Sequence, residues 1–178
     1  ELLTLLGVPQ VRADAVEADD LIAYVAGKMD HPHGVIIVST DQDFLQLISK
    51  KGFTDDCNEG HKHIWMEEDP FPRSCPTCEH TESSEVRVYS PIKKVMIDHA
   101  SFISDFGVLP ENFRLVKALT GDSSDNIDGV KGFGAKTATK AFPFLLEKRS
   151  TADDILAAAS GVKGILGNRL IEEKNRFL

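Results

Sequence analysis

A continuous run of β-branched residues, VIIVST at residues 35–40, limits the folds open to this chain. Such a run is typical of a strand buried on both faces of a parallel sheet. The next residues, DQDFLQLIS at 41–49, return to helical spacing of apolar side chains, and a second extended run, IKKVMID, follows at 92–98. The sequence therefore predicts an α/β fold with a central parallel sheet.

Three further segments have the apolar periodicity of helices. They are EADDLIAYVAGKM at 17–29, PENFRLVKALTG at 110–121 and AKTATKAFPFLLE at 135–147. We expect the last 50 residues to be entirely helical.

Composition and charge narrow the class of protein. With 178 residues, the chain can form one main body, and no apolar run approaches the roughly 20 residues of a membrane span. The net charge is −12 for residues 1–130 and +4 for residues 131–178, so the carboxyl-terminal part is the one suited to a polyanion. The amino terminus, ELLTLLGVPQ, has neither a signal-peptide pattern nor an initiator Met, and we expect a cytoplasmic protein that is a fragment or a processed product.

Seven acidic residues form three short clusters at the ends of predicted elements. Each cluster alone has an ordinary explanation, because acids stabilise a helix amino terminus and aspartate is a common helix cap. The third cluster fits these explanations least well, since it follows an apolar helix, where the macrodipole disfavours acids. Together they suit hard divalent cations, which prefer oxygen ligands. The clusters are Glu17, Asp19 and Asp20; Asp41 and Asp43; and Asp122 and Asp125.

The segment GVKGFGAKTA at 129–138 fits a helix-hairpin-helix. Glycines allow the backbone to approach a phosphate closely, and a helix amino terminus presents free N–H groups. A plain glycine-containing turn is the alternative. The candidate phosphate-binding residues are Gly129, Lys131, Gly132, Gly134, Lys136, Thr137 and Lys140.

Residues 52–90 form a polar stretch that contains all three cysteines. An odd number of cysteines without a secretory signal favours metal binding over disulfides. The spacing of Cys57 and His61, followed by Cys75 and Cys78, fits a small zinc ribbon in which zinc has a structural role. His63 and His80 are further candidates for the fourth ligand, and a redox CxxC pair is the alternative.

Three segments carry a resemblance to a known family. EADDLIAYVA, VIIVSTDQDFLQLIS and LTGDSSDNIDGVKGFGAKTATK, in that order, resemble the 5′-nuclease family, which includes flap endonucleases, phage 5′-3′ exonucleases and the amino-terminal domain of bacterial DNA polymerase I. The resemblance covers roughly residues 1–50 and 92–178 and leaves the Cys/His insertion outside.

The resemblance implies two-metal hydrolysis of DNA or RNA phosphodiesters in replication or repair. Glu17, Asp19 and Asp20 would serve one Mg²⁺ or Mn²⁺ ion, and Asp41, Asp43, Asp122 and Asp125 the other. The hairpin would hold duplex DNA that bears a 5′ flap or 5′ end, and its loop carbonyls are a candidate site for K⁺. The EADD and LTGDSSDN motifs resemble those of bacterial and phage members, so we expect the cytoplasm of a bacterial or phage-infected cell.

The resemblance also implies two elements of the family that residues 1–178 do not match. Its members begin with an aspartate-bearing strand and a basic helical arch, and we expect another portion, in the same gene or as a separate chain, to supply them. The chain alone should be inactive. A non-catalytic DNA-structure-binding subunit is the alternative. The expected organisation is a nuclease core at 1–51 and 91–121, the zinc-binding insertion at 52–90 and the hairpin module at 122–178.

Overall fold

The structure is a computed structural model that describes residues 2–29, 33–50, 85–162 and 165–172. The four predicted zinc ligands, Cys57, His61, Cys75 and Cys78, lie outside the described residues, as do His63 and His80. In the described parts, no helix combines the length and apolar composition that crossing a bilayer requires.

A three-stranded sheet forms the α/β part of the fold. Its strands are β1 (Val35–Val38), β2 (Val86–Ser90) and β3 (Val95–Ile97), in the order β1-β2-β3. The first pair is parallel, with Val35 opposite Val86, and the second is antiparallel. The expected parallel sheet is therefore mixed, because β2 and β3 are joined by only four residues, too few for a parallel crossover.

Strand β2 lies at the end of the polar stretch 52–90 that the sequence assigned to the insertion. Val86 and Val88 are buried and alternate with partly exposed residues, and Val86–Tyr89 pair with β1. The strand was not predicted because the residues that precede it in the sequence are polar. The pairing makes residues 86–90 part of the sheet.

Short helices make up most of the remaining described residues. They are α1 (Leu2–Leu5), α2 (Ala18–Lys28), α3 (His99–Phe106), α4 (Phe113–Thr120), α5 (Ala135–Ala141), α6 (Ala152–Ala159) and α7 (Ile165–Glu172), with 3-10 helices at Gln42–Leu47, Pro110–Asn112 and Pro143–Leu146. Between α4 and α5, a small hairpin pairs β4 (Gly121–Asp122) with β5 (Ile127–Asp128). The helical prediction for the carboxyl-terminal part is thus confirmed among the described residues.

The expected single helix at 135–147 is wrong. It divides into α5 and the 3-10 helix that starts at Pro143. Proline has no N–H to donate and disfavours helical backbone at the preceding residue, Phe142, which has φ −128° and ψ 72°. The ring of Phe142 remains fully buried and stacks on Phe133 at 6.2 Å between centroids, so the break still packs against the hairpin.

One hydrophobic cluster joins the sheet to the carboxyl-terminal helices. At its centre, Phe102 of α3 packs edge-on against Phe113 of α4, with ring centroids 5.3 Å apart, and both rings also contact Phe106. The rings anchor the start of α4, and the fully buried Leu119 anchors its last turn, where the chain enters the β4–β5 hairpin.

Asn112 fixes the loop after the 3-10 helix Pro143–Leu146. Its side chain is fully buried and donates from Nδ2 to the carbonyls of Leu145 and Lys148, both at 2.7 Å, while Oδ1 accepts from the Ser150 N–H at 2.9 Å. Every polar atom of this amide is therefore used in joining segments more than 30 residues apart.

Replacing Asn112 with Ala should lower the free energy of unfolding by about 2–4 kcal/mol, because a fully buried amide loses all three of its hydrogen bonds and the Ser150 N–H loses the partner that it has in the structure. Urea denaturation measures the change. Glu111→Ala, at the exposed neighbouring position, is the control and should be nearly neutral. A decrease of less than about 1 kcal/mol for Asn112→Ala would contradict the role assigned to this amide.

Candidate metal centre and hairpin

The first acidic residues of the site stand at the carboxyl end of β1. Asp41 caps the 3-10 helix Gln42–Leu47, because its side chain accepts a hydrogen bond from the Asp43 N–H at 2.9 Å. The Asp41 N–H in turn donates to Ser39 Oγ at 3.0 Å. This capped turn directs the chain away from the sheet and positions Asp43 at the crevice beyond the strand ends.

The second pair follows α4 and belongs to the β4–β5 hairpin. Asp122 is the last residue of β4, and its Oδ1 accepts hydrogen bonds from Ser124, from the N–H at 3.0 Å and from the hydroxyl. Asp125 is exposed in the turn that connects the two strands. Gly129, after β5, leaves no space for a Cβ against the Thr120 backbone, so the hairpin closes tightly on the end of α4.

The fold brings three carboxylates together from these two places. One oxygen each of Asp43, Asp122 and Asp125 lies within 4.8 Å of the others. They line a cleft of about 540 Å³ whose wall also includes Asp41. An oxygen-only group of this kind suits Mg²⁺ or Mn²⁺ better than softer metals.

Lys117 is the basic residue of this cleft, and the sequence patterns did not single it out. It lies in the last turn of α4, and its ammonium group forms ion pairs with both Asp43 and Asp122. The ion pairs join the acid that follows β1 to the acid that follows α4. A lysine in a helix that runs directly into an acidic cluster was the available signal, but its partner Asp43 is 74 residues away in the sequence.

The ion pairs shift the pKa values of Lys117 and Asp122. Hydrogen bonds from Lys117, then from the Ser124 hydroxyl and N–H, hold the pKa of Asp122 far below its usual value. Partial burial by itself would lower the pKa of Lys117, but the hydrogen bonds and negative charges of Asp122 and Asp43 outweigh it, and the pKa is raised. The cleft therefore holds a charged lysine and a charged aspartate at neutral pH.

The structure does not bring all seven predicted acids into this group. Glu17 is the residue before α2, Asp19 and Asp20 lie in its first turn, and all three are exposed. Within the described part of the chain, they form no group of the kind that Asp43, Asp122 and Asp125 form. Their role at another metal ion stays a prediction, as does a ligand role for Asp41.

The predicted phosphate-binding residues occupy the segment from β5 into α5. Lys131, Lys136 and Lys140 are exposed, and Thr137 is partly buried, its N–H donating to the Gly134 carbonyl at 2.9 Å. Gly132 has φ +100°, a backbone conformation that favours glycine. The lysines and the turn are thus on the surface, anchored by the buried neighbours Val130 and Phe133.

Comparison with known families bears on both halves of the chain. A family model described as the 5′-3′ exonuclease N-terminal resolvase-like domain matches residues 1–70, and one described as the 5′-3′ exonuclease C-terminal SAM fold matches residues 108–178. The chain belongs to the 5′-3′ exonuclease family. The resemblance inferred from the acidic and glycine-rich motifs is thereby confirmed.

Individual relatives are bacterial nucleases and polymerases. The chain is 30% identical over 157 residues to a 5′-3′ exonuclease of Aquifex aeolicus, a match that covers 88% of this chain and 41% of the relative. It is 31% identical over 173 residues to DNA polymerase I of Treponema pallidum, covering 96% of this chain and 14% of the polymerase. The chain therefore spans less than half of the length of these curated relatives.

Solved structures of similar fold come from bacteriophage T5. The T5 D15 protein matches 99% of this chain with a TM-score of 0.65 at 22% identity, and the match covers 52% of that protein. A T5 5′-exonuclease mutant matches with a TM-score of 0.62 at 20% identity and is covered to 58%. The mixed α/β fold, with its resolvase-like and SAM-type parts, is that of the T5 exonuclease.

Replacing Lys117 with Met should raise the pKa of Asp122 towards its ordinary value, because the largest cause of the lowering is removed. In the native chain, the stabilisation from ionised Asp122 is present above the unfolded-state pKa of about 3.9 and disappears as the pH falls through the lower folded value. NMR titration of the side-chain carboxyl carbon measures this pKa. An unchanged Asp122 titration in Lys117→Met would contradict the assignment, and Lys28→Met is the matched control.

Proposed function

We propose that this chain is part of a structure-specific 5′ nuclease that hydrolyses phosphodiesters of DNA, or of RNA, at 5′ flaps or 5′ ends during replication or repair. Residues 1–51 and 86–121, which include strand β2, would supply the carboxyl-terminal part of the catalytic core, and residues 122–178 the duplex-binding module. The observation that carries the proposal is the group of three carboxylates next to a surface hairpin with exposed lysines.

The acidic group suits one of two divalent cations in its chemistry. Asp43, Asp122 and Asp125 offer oxygen ligands only, and Asp41 stands in the same cleft. Glu17, Asp19 and Asp20 would hold the other ion. When bound, such ions activate a water molecule and stabilise the leaving oxygen of a phosphodiester.

The chain's own residues account for the remaining requirements. The carboxylates hold negative charge that would repel a phosphate, and Lys117 neutralises part of that charge at the cleft. The capped turn at Asp41 and the hydrogen bonds to Asp122 fix the carboxylates before any substrate arrives, which lowers the cost of ordering them.

Descriptions of the T5 relatives agree with this chemistry. One T5 5′-exonuclease structure is described as having divalent metal ions, zinc in that case, bound to it. Another is described as a D15 flap endonuclease pseudo-enzyme–product complex with DNA and metal ions. We propose that this chain likewise binds metal ions and DNA.

The duplex-binding role is assigned to the hairpin between β5 and α5. Exposed Lys131, Lys136 and Lys140 provide the charge, and Gly132 allows the backbone to come close to a phosphate. Gly129, Gly134 and Thr137 complete the segment, and carbonyls of the same loop would accept a K⁺ ion. Contacts of this type position a duplex without reading its sequence.

We propose that catalysis needs an amino-terminal nuclease portion in addition to residues 1–178. In support, β1 is an edge strand among the described residues, and a groove of about 830 Å³ runs between β1, α2 and the segment before α2. The groove is apolar, and Ile22, Ile36 and Val38 are 40%, 48% and 65% exposed beside it. An apolar surface of this kind, next to a free strand edge, suits a partner strand of the same fold.

We propose a structural zinc at Cys57, His61, Cys75 and Cys78 in the insertion. The support is the spacing of the two ligand pairs in the sequence, which suits a tetrahedral zinc site. The zinc content of the purified chain measures the occupancy.

Replacing Asp122 with Asn should weaken Mn²⁺ binding by about tenfold or more, because a charged ligand becomes a neutral one. Titration calorimetry measures the affinity. Asp105→Asn, at an exposed position of α3 away from the group, is the matched control and should bind as the native chain does. Equal Mn²⁺ affinity in all three proteins would contradict the metal centre, and duplex binding without a metal would then favour the non-catalytic DNA-binding subunit.

Replacing Lys136 with Glu should weaken binding to duplex DNA and lower the dependence of the affinity on salt. The slope of log K against log salt should fall by about 0.9 for every phosphate that the lysine no longer neutralises. Fluorescence anisotropy over a range of salt concentrations measures both quantities. Lys28→Glu, on α2, is the control, and an unchanged isotherm for Lys136→Glu would count against the hairpin.

The pure chain should not cleave a 5′-flap substrate in Mg²⁺, and co-expression with the amino-terminal nuclease portion from the same genome should restore cleavage. Val38→Lys should block the restoration, because a charge then faces the groove beside the free edge of β1. Ile92→Lys, at a residue that is 79% exposed in the β2–β3 turn, is the control. Robust cleavage by the pure chain, or restoration that Val38→Lys leaves intact, would contradict the proposed dependence.

A further inference from the structure

A tight turn lies at residues 130–133, in the segment between β5 and α5. The Phe133 N–H donates to the Val130 carbonyl at 2.9 Å, and the positive φ of the turn falls on Gly132, not on Lys131. These are the features of a type II turn, in which the central peptide, between Lys131 and Gly132, makes no bond within the turn itself. A flip of this peptide converts one turn type into another, so something outside the turn has to fix its orientation.

Arg169 supplies that outside contact. Its Nη1 donates to the Lys131 carbonyl at 2.9 Å, across 38 residues of sequence. The arginine comes from α7, which is well anchored: Leu170 is fully buried, and a Cβ at Gly167 would lie only 2.5–2.6 Å from the carbonyl oxygens of Val162 and Ala159. The guanidinium group therefore reaches the turn from a helix that packs closely on α6.

The hydrogen bond from Arg169 to the Lys131 carbonyl determines the direction of the Gly132 N–H. A trans peptide is planar, and its C=O and N–H point in opposite directions. When Arg169 holds the Lys131 carbonyl, the N–H of Gly132 is directed away from α7. Among the described residues, no group accepts a hydrogen bond from this N–H, and Gly132 itself is exposed.

We propose that Arg169 is a positioning residue for DNA binding, which locks the central peptide of the turn so that the Gly132 N–H donates to a phosphate oxygen of the duplex. The ligand chemistry is that of a phosphodiester, for which backbone N–H groups are common donors. The inference rests on the proposed duplex-binding function of the hairpin. It assigns to Arg169 no contact with the DNA.

Three variants of the full chain test this assignment. Arg169→Lys keeps the charge but loses the planar fork, and Arg169→Gln loses the charge as well. Arg149→Lys, at an exposed arginine in the loop before α6, is the matched control. Each protein is titrated against a fluorescein-labelled blunt DNA duplex over a range of salt concentrations, and the Gly132 amide signal is recorded by ¹H–¹⁵N NMR. Urea denaturation establishes that each variant is folded.

The lock predicts that both Arg169 variants bind duplex about fivefold more weakly, as expected for the removal of one hydrogen bond, with the salt slope unchanged. Both should also shift the Gly132 amide signal without DNA, which a contact between Arg169 and the DNA would not require. Arg149→Lys should resemble the native chain in every measurement.

Two results would overturn the inference while leaving the proposed function in place. One is native duplex affinity in both Arg169 variants. The other is a salt slope lowered by about 0.9 in Arg169→Gln with native binding in Arg169→Lys, because Arg169 would then contact a phosphate directly. Failure of the native chain to bind the duplex at any salt concentration would instead overturn the hairpin's proposed function, and the inference with it.

Discussion

The two ion pairs of Lys117 hold the acidic cleft together. Asp43 follows a strand of the sheet and Asp122 follows α4, and their carboxylates would repel each other if no cation stood between them. Lys117 supplies that cation from the last turn of α4, where the side chain of Leu119 is fully buried. In the proposed function, a divalent ion bound by Asp122 and Asp125 beside Asp43 would have to displace the ammonium group from these contacts. The lysine is therefore a resident counter-ion that keeps the carboxylates together, and in the proposed function it would oppose metal binding until the metal ion displaces it.

The acids of the cleft and the exposed lysines of the next turn lie on one short segment of the chain. From Asp122, the β4–β5 hairpin leads directly to the turn at Gly132, so only a short segment separates the acids from the exposed lysines. Gly129 packs against the Thr120 backbone, and Arg169 donates a hydrogen bond to the Lys131 carbonyl of the turn. In the proposed function, the acids do not oppose the binding of DNA by the hairpin, since their charge is directed to metal ions and the lysines face a different phosphate.

Local signals predicted much of this arrangement. The β-branched run gave β1, and the spacing of Asp122 and Asp125 after an apolar helix indicated a group that a helix cap does not explain. What the sequence could not supply were contacts between distant residues: Lys117 with Asp43, Asn112 with the loop at 145–150, and β2 with β1. The break at Pro143 is different, because the restriction of proline on backbone geometry was available in the sequence and apolar spacing was weighed above it. The structure leaves Glu17, Asp19 and Asp20 exposed at the start of α2, so their role at a metal ion stays a prediction.

Anomalous diffraction at the manganese edge, from crystals of the chain soaked in Mn²⁺, locates any metal ion in the acidic cleft. We expect a Mn²⁺ ion coordinated by oxygens of Asp122 and Asp125, at about 2.1–2.2 Å, with Asp43 beside it. The Lys117 ammonium group should then be displaced from between Asp43 and Asp122. A cleft without an anomalous peak, with Lys117 still paired to both aspartates while Mn²⁺ binds elsewhere on the chain, would contradict the proposed metal centre.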